Sequence, residues 1–256
     1  LPEATAASDA ATRKTVALAI EHCDKALRFV DPPGPWRELR RRFEERLGDR
    51  SSAGSSPSEP RPDEERSALA CFQRGLLHSG RDELTPAIGW LRRAVQINWS
   101  NYWYQYYLGY LEDQAGLTDE ALRHYDVAKG MKPDSPWVLF SRARLCHKGG
   151  RWTEALDDLE KSLSLMGDRP EASRVRLELG YVNERLGDVA GARRRYTEVA
   201  LADVAGELGR AARLNLANLD AEAGDVARAQ EAFGDLLATN PGDVAARRSR
   251  ALLDLR

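Results

Sequence analysis

Histidine and cysteine are the side chains of this chain that could bind a metal ion or act as a base and a nucleophile. The sequence holds four histidines and three cysteines: His22, His78, His124, His147, Cys23, Cys71 and Cys146. None of them forms an HExxH pair, a CxxC pair or a mixed set with the spacing of zinc ligands. We therefore predict no metal site and no cofactor, and the odd number of cysteines argues against a disulfide framework.

Sequence motifs for nucleotide binding or hydrolysis are also missing. No GxGxxG follows a strand pattern, no glycine-rich loop ends in GK[ST], and no GxSxG occurs. Acidic neighbours such as Asp157 and Asp158 fall on predicted outward faces of helices, with no identifiable base opposite them. The sequence therefore predicts a protein that is not an enzyme.

A basic run at residues 40–42 is the strongest candidate for contact with phosphate. Glutamates are interleaved with it at helical spacing (Glu38, Glu44 and Glu45), which favours ion pairs on a solvated helix face. The formal net charge is −2, and no Lys/Arg face recurs along the chain. Neither nucleic acid nor a membrane is therefore an expected partner.

The segment NWSNYWYQYYLGY, residues 98–110, carries seven aromatic side chains. A helix can bury only about a third to a half of its circumference, so these rings must point in nearly every direction. Two interpretations stay open. The rings either line a binding groove, where Tyr and Trp are preferred anchors, or fill a wide core between helices.

The elements that position these side chains follow from a repeated pattern. A small residue recurs at spacings of 34, 34, 37 and 37 residues, at Gly75, Gly109, Ala143, Gly180 and Ala217. Twelve residues later comes an alanine, and four further on a large apolar residue: Ala87/Leu91, Ala121/Tyr125, Ala155/Leu159, Ala192/Tyr196 and Ala229/Phe233. Four copies also have a glycine seven residues after the small residue: Gly116, Gly150, Gly187 and Gly224.

Each copy predicts two short helices joined by a turn in which glycine takes the left-handed conformation. The small residues let the two helices approach closely, and because neither helix buries its apolar face alone, the units must stack. The pattern resembles the tetratricopeptide repeat (TPR) over about residues 67–256. That resemblance implies an all-α, right-handed superhelical solenoid of about five helix-turn-helix repeats. A capping helix is expected at 243–255, with Val244, Ala251, Leu252 and Leu255 on its apolar side.

The resemblance also implies a binding surface, because the first helices of the repeats line the concave face in this family. The partner-binding residues expected there are Phe72, Trp103, Tyr106, Tyr110, Asp113, Trp137, Phe140, Arg144, Lys148 and Tyr181. Some family members grip a C-terminal carboxylate with basic side chains. At the matching positions this chain has Phe72, Leu76, Tyr106, Trp137 and Ser141, so that kind of clamp is not expected.

We therefore expect a non-catalytic protein–protein interaction module that binds a peptide or a partner domain in an aromatic concave groove. The alternative is a structural or regulatory arm that packs on an enzyme domain of its own parent protein. The Ala- and Arg-rich repeats with a Pro-Gly-Ser linker are similar to repeat arms of large bacterial signalling proteins, such as serine/threonine kinases. A bacterial, cytoplasmic protein is expected, since no signal peptide or membrane span is evident.

The N-terminal quarter follows the pattern poorly. Residues 1–47 predict a helical segment with a degenerate or truncated repeat, in which Ala19, Cys23 and Ala26 take the small–large–small positions. Residues 36–47 have apolar side chains at helical spacing, and residues 48–66 are rich in Ser, Gly and Pro, which is typical of a flexible linker. Because the chain starts at Leu1, we expect it to be a piece of a longer protein.

Overall fold

Eleven α-helices make up residues 67–254, the part of the chain that the computed structural model describes. They are α1 Ala68–Ser79, α2 Leu84–Ile97, α3 Tyr102–Gln114, α4 Thr118–Met131, α5 Pro136–Lys148, α6 Trp152–Met166, α7 Ala172–Arg185, α8 Val189–Ala202, α9 Glu207–Glu222, α10 Val226–Thr239 and α11 Val244–Asp254. These residues contain no strand, so the predicted all-α class is confirmed. The predictions for 1–47, for 48–66 and for Leu255 lie outside the described residues.

The helices follow the predicted order of pairs, with α11 as an additional helix. The described residues fall into two compact units that divide between Arg142 and Ala143, within α5. In the first unit, α2 packs on α1, α3 on α2, and α4 on α3. In the second unit, each helix from α7 to α11 packs on the helix before it.

Glycine ends the first helix of four repeats in the left-handed conformation, as predicted. The φ angles are 77° at Gly116, 75° at Gly150, 84° at Gly187 and 83° at Gly224. The first repeat differs, since the left-handed residue there is Asp82, with φ of 59°. Aspartate tolerates this conformation better than most residues because its short polar side chain can bond locally.

The small residues of the pattern lie where two helices of a repeat touch. An added Cβ at Gly109 would lie 3.0 Å from Cε1 of Tyr125, and one at Gly180 would lie 2.4 Å from Cε1 of Tyr196. Both tyrosine side chains are completely buried. The thiols of Cys71 in α1 and of Cys146 in α5 are also fully buried.

The helix α11 packs on the preceding repeat with a different face from the one predicted. Ala246 and Leu253 are buried, whereas Val244 is 74% exposed, Leu252 is 53% exposed and Ala251 is exposed. The predicted apolar side was therefore wrong. The N-cap fixes the rotation of the helix, because the Asp243 carboxylate accepts a hydrogen bond from the backbone N–H of Ala246 and one from the Arg210 side chain.

Candidate partner-binding surfaces

Three of the seven rings of the aromatic segment belong to the core of the first unit. Tyr104, Tyr106 and Tyr107 on α3 are 5%, 7% and 5% exposed. The Phe72 ring on α1 lies with its centroid 4.8 Å from that of Tyr104 and 5.6 Å from that of Tyr107. Phe72 and Tyr106, both predicted to bind a partner, are thus core residues whose rings a partner could not reach without repacking.

The other predicted residues of the first unit divide between core and surface. Trp137 and Phe140 on α5 are 8% and 5% exposed, so the predicted exposure of these rings is also wrong. Trp103 is half-buried and stacks on Tyr107 at 6.1 Å. Tyr110 is 38% exposed and Asp113 is half-buried.

Among the described residues of the first unit, two tryptophans outside the predicted set lie near or at the surface. Trp99, in the loop between α2 and α3, is 69% exposed. Trp90 on α2 is half-buried, and the guanidinium of Arg74 lies 4.9 Å from its ring centroid. Pro86, Gly89 and Arg93 line a shallow depression together with this ring. The positions of these two tryptophans in the repeat did not predict that they would lie near or at the surface.

An exposed aromatic cluster lies in the second unit, where α5 ends and α6 begins beside α7. Tyr181 on α7 is 39% exposed. The His147 and Tyr181 rings form a T-shaped pair, with centroids 5.3 Å apart and planes at 89°, and the half-buried Trp152 ring lies 6.2 Å from the Tyr181 ring. The exposed Arg185 places its guanidinium 5.1 Å from the Trp152 centroid. We call these four residues the Tyr181 surface.

Charged side chains border this surface. Glu178 on α7 lies 3.7 Å from Nε2 of His147 and 3.9 Å from Nε of Arg144. Lys148, at the end of α5, is exposed. Arg144, Lys148 and Tyr181 come from the predicted set and lie together here, while His147 and Trp152 supply rings that were not predicted as partner contacts.

Burial favours the neutral form of the His147 ring. Desolvation lowers the pKa of this histidine, Glu178 opposes the shift, and Arg144 and Lys148 add to it. Nδ1 of His147 is buried, and it has no hydrogen-bond partner among the described residues. A neutral imidazole packs against the Tyr181 ring without the cost of a desolvated charge.

A buried carboxylate connects three helices of the first unit. The Glu112 side chain on α3 is 1% exposed, and its Oε1 accepts hydrogen bonds from Nε and Nη2 of Arg92 at 3.2 and 2.8 Å. Nε2 of His124 on α4 lies 3.5 Å from Oε2 of Glu112. Nδ1 of His124 lies 2.7 Å from Oε1 of Gln105, whose amide donates to the Trp99 carbonyl. This network holds α2, α3 and α4 together.

We expect the free energy of unfolding to fall as the pH drops below about 6.5. Burial is the largest cause that lowers the folded-state pKa of both His124 and His147. The unfolded chain therefore binds more protons than the native one between the ordinary pKa of histidine and the lower native value. The stabilisation is fully present above the ordinary pKa of histidine, and it is lost as the pH falls from there to the native pKa.

Urea unfolding at several pH values measures this effect. His124→Gln and His147→Gln should each flatten the dependence of unfolding free energy on pH. The carboxyl of Glu184, whose pKa burial raises, acts in the opposite direction but is common to all three chains and cancels in the comparison. Identical slopes for the parent chain and both variants would contradict the prediction.

The part of the chain that the structure describes contains neither a cluster of metal ligands nor a helix that could cross a membrane. Within residues 67–254 no three or more His, Cys, Asp or Glu side chains form a group able to hold a metal ion. Over the same residues, no helix combines the length and the apolar character needed to cross a membrane.

Comparison with known proteins gives matches to one repeat family. Residues 148–207 and 214–255 match the family model of the tetratricopeptide repeat. These matches support the tetratricopeptide repeat family. Both matched segments belong to the second unit, which also holds the Tyr181 surface. No curated protein matches the chain.

Solved structures share the fold at low sequence identity. A tetratricopeptide repeat protein from Parabacteroides merdae ATCC 43184 is 22% identical, over 74% of this chain and 73% of its own, with a TM-score of 0.65. YrrB, a TPR protein with an unusual peptide-binding site, is 16% identical over 74% of this chain and 94% of its own, at 0.63. PilF of Pseudomonas aeruginosa is 16% identical over 97% and 99%, also at 0.63. These likenesses show the fold, a tetratricopeptide repeat solenoid.

Proposed function

We propose that this chain is a non-catalytic interaction module that binds a protein or peptide partner on the Tyr181 surface. The tetratricopeptide repeat fold suggests a protein–protein interaction module. The observation that carries the more specific proposal is an exposed tyrosine ring held in place by two neighbouring rings. A rigid aromatic side chain loses little conformational entropy when a partner covers it, and such side chains are typical anchors of interfaces.

The surroundings of Tyr181 fit an anchor with a polar rim. Arg185, Lys148 and Arg144 carry positive charge beside the rings, and Glu178 carries negative charge. Charged groups at the edge of an interface orient a partner and raise its association rate more than its affinity. An apolar or aromatic side chain of the partner would pack on Tyr181, while polar groups of the partner meet the rim.

Tyr181→Ala should weaken partner binding by about 2 kcal/mol, or roughly 30-fold in Kd, because truncation removes the anchor ring. A partner captured by the unsubstituted chain from cells of the source organism would be purified, and its affinity for each chain would be measured by calorimetry. Leu201→Ala is the matched control, since Leu201 is 73% exposed at the end of α8 and makes no part of the surface.

Circular dichroism melts of both variants would show that the fold is kept. An unchanged Kd for Tyr181→Ala would contradict the proposal. Loss of binding with Tyr110→Ala alone would move the partner site to the first unit, where Tyr110 is the exposed member of the predicted set.

A further inference from the structure

The imidazole of His147 contacts both other rings of the Tyr181 surface. Its centroid lies 5.3 Å from that of Tyr181 and 6.0 Å from that of Trp152, with the ring planes at 89° and 79°. The Arg185 guanidinium lies on Trp152, and the His147 side chain is 17% exposed. The orientation of the exposed Tyr181 ring therefore depends on the place of this imidazole.

The surroundings of the imidazole suit one proton and not two. Nε2 lies 3.7 Å from Oε2 of Glu178, so the neutral ring carries its proton there, facing the carboxylate. The other nitrogen of His147, Nδ1, is buried and has no hydrogen-bond partner among the described residues. A second proton would bind at Nδ1 and become a buried donor without an acceptor, which is unfavourable.

Charged groups from two helices act on this ring. Desolvation is the largest cause that lowers the pKa of His147; Glu178 on α7 favours the imidazolium, while Arg144 and Lys148 on α5 oppose it. Arg185, also on α7, adds a positive charge beside the neighbouring indole. The helix α6 contributes only that uncharged indole to the ring contact. The neutral ring is therefore the form that the packed cluster accommodates.

We propose that protonation of His147 disrupts the Tyr181 surface and thereby weakens partner binding as the pH falls. This inference rests on the proposed function, since it concerns the regulation of the same surface. The imidazolium satisfies both of its N–H groups only if the ring turns out of the cluster toward water. Tyr181 then loses the ring that packs against it, so ordering the anchor costs a partner part of its binding free energy.

The effect of pH on affinity follows from the linkage between proton binding and partner binding. A partner that covers Tyr181 selects the chains in which His147 is neutral, and by reciprocity its binding releases a proton from the protonated chains. Affinity is therefore full above the ordinary pKa of histidine. Below the native pKa of His147, it should fall about tenfold for each further pH unit. Because Glu178 raises that native pKa, Glu178→Gln should move the fall in affinity to lower pH.

NMR of the chain alone tests this regulation without a partner. The ring signals of His147 and Tyr181 are assigned by their loss in His147→Gln and Tyr181→Ala. Cross-peaks between the protons of the two rings should be present at about pH 8 and should disappear toward about pH 5, with the same midpoint as the His147 titration. His78→Gln changes a histidine of the first unit. It is the matched control and should leave this midpoint unchanged.

Calorimetry with the purified partner then measures the consequence for binding, at each pH at which circular dichroism shows the native helix content. The Kd of the unsubstituted chain should rise about tenfold per pH unit below the midpoint found by NMR. His147→Gln should remove this dependence, Glu178→Gln should move it to lower pH, and His78→Gln should keep it.

The outcomes separate the regulation from the proposed function. Cross-peaks that persist when His147 is protonated would overturn the regulation, as would an equal pH dependence of Kd in the unsubstituted chain and in His147→Gln. A midpoint for Glu178→Gln at or above that of the unsubstituted chain would do the same. If Tyr181→Ala weakens binding but Kd does not depend on pH, only the regulation is wrong. If Tyr181→Ala leaves Kd unchanged, the proposed function is wrong and the regulation fails with it.

Discussion

Arg92→Ala should lower the free energy of unfolding by about 3 kcal/mol, because it leaves the carboxylate of Glu112 buried without its main partner. Arg92 donates two hydrogen bonds to one oxygen of Glu112, whose side chain is 1% exposed. The loss should stay at the lower end of the range for broken buried pairs. The reason is that the Arg92 side chain is 48% exposed, so water reaches part of the site that it vacates.

A second substitution tests this explanation. In the double variant Arg92→Ala with Glu112→Gln, the buried group is neutral. Removal of the arginine should therefore lower the free energy of unfolding much less than it does in the single variant. Arg93→Ala is the matched control, since Arg93 is an exposed neighbour on the same helix, and it should change stability by less than about 0.5 kcal/mol. Urea unfolding of all four chains gives the comparison. A loss with Arg92→Ala no larger than with Arg93→Ala would show that the buried charge needs no counterion.

Gly209→Ala and Gly130→Ala should have opposite effects on stability. An added Cβ at Gly209 would lie 1.7 Å from the backbone oxygen of Asp203, so the start of α9 must shift, at a cost of about 1–3 kcal/mol. The backbone N–H of Gly209 also donates to the Asp203 carboxylate at 3.0 Å, and the shift would disturb this bond. At Gly130, within α4, nothing lies within 4 Å of an added Cβ.

Alanine at position 130 should therefore stabilise the helix by about 0.5–1 kcal/mol, since it restricts the unfolded chain more than glycine does. Thermal melts of the two variants against the parent chain measure both signs. A melting temperature for Gly209→Ala equal to or above that of the parent would show that the turn before α9 adapts freely.

Helix pairs and their register could be predicted from sequence because they depend on a pattern that recurs within one repeat. Gly109 and Ala121 fall where α3 meets α4, and Gly116 has the left-handed conformation that the turn requires. Small side chains at a helix contact are a local requirement, so five copies make the signal strong. The same reasoning failed for α11, where no following copy indicated which side would be covered.

The candidate site was predicted less well because the burial of a residue depends on the side chains that neighbouring helices place against it. Glu112 is fully buried and Asp158 is 3% exposed, although the sequence places such acidic residues on outward helix faces. The partners of Glu112 come from α2 and α4, and no residue spacing within α3 predicts them. Likewise, Trp152 joins Tyr181 only because α6 begins beside α7.

The two buried thiols allow the opening of each unit to be timed separately. Cys71 lies in the first unit and Cys146 in the second, and neither side chain is accessible to solvent. A thiol reagent reaches a buried cysteine only when the surrounding helices separate, so its labelling rate reports the population of that open state. With Cys23 replaced by serine, mass spectrometry of the labelled peptides would show whether a bound partner slows the opening of one unit or of both.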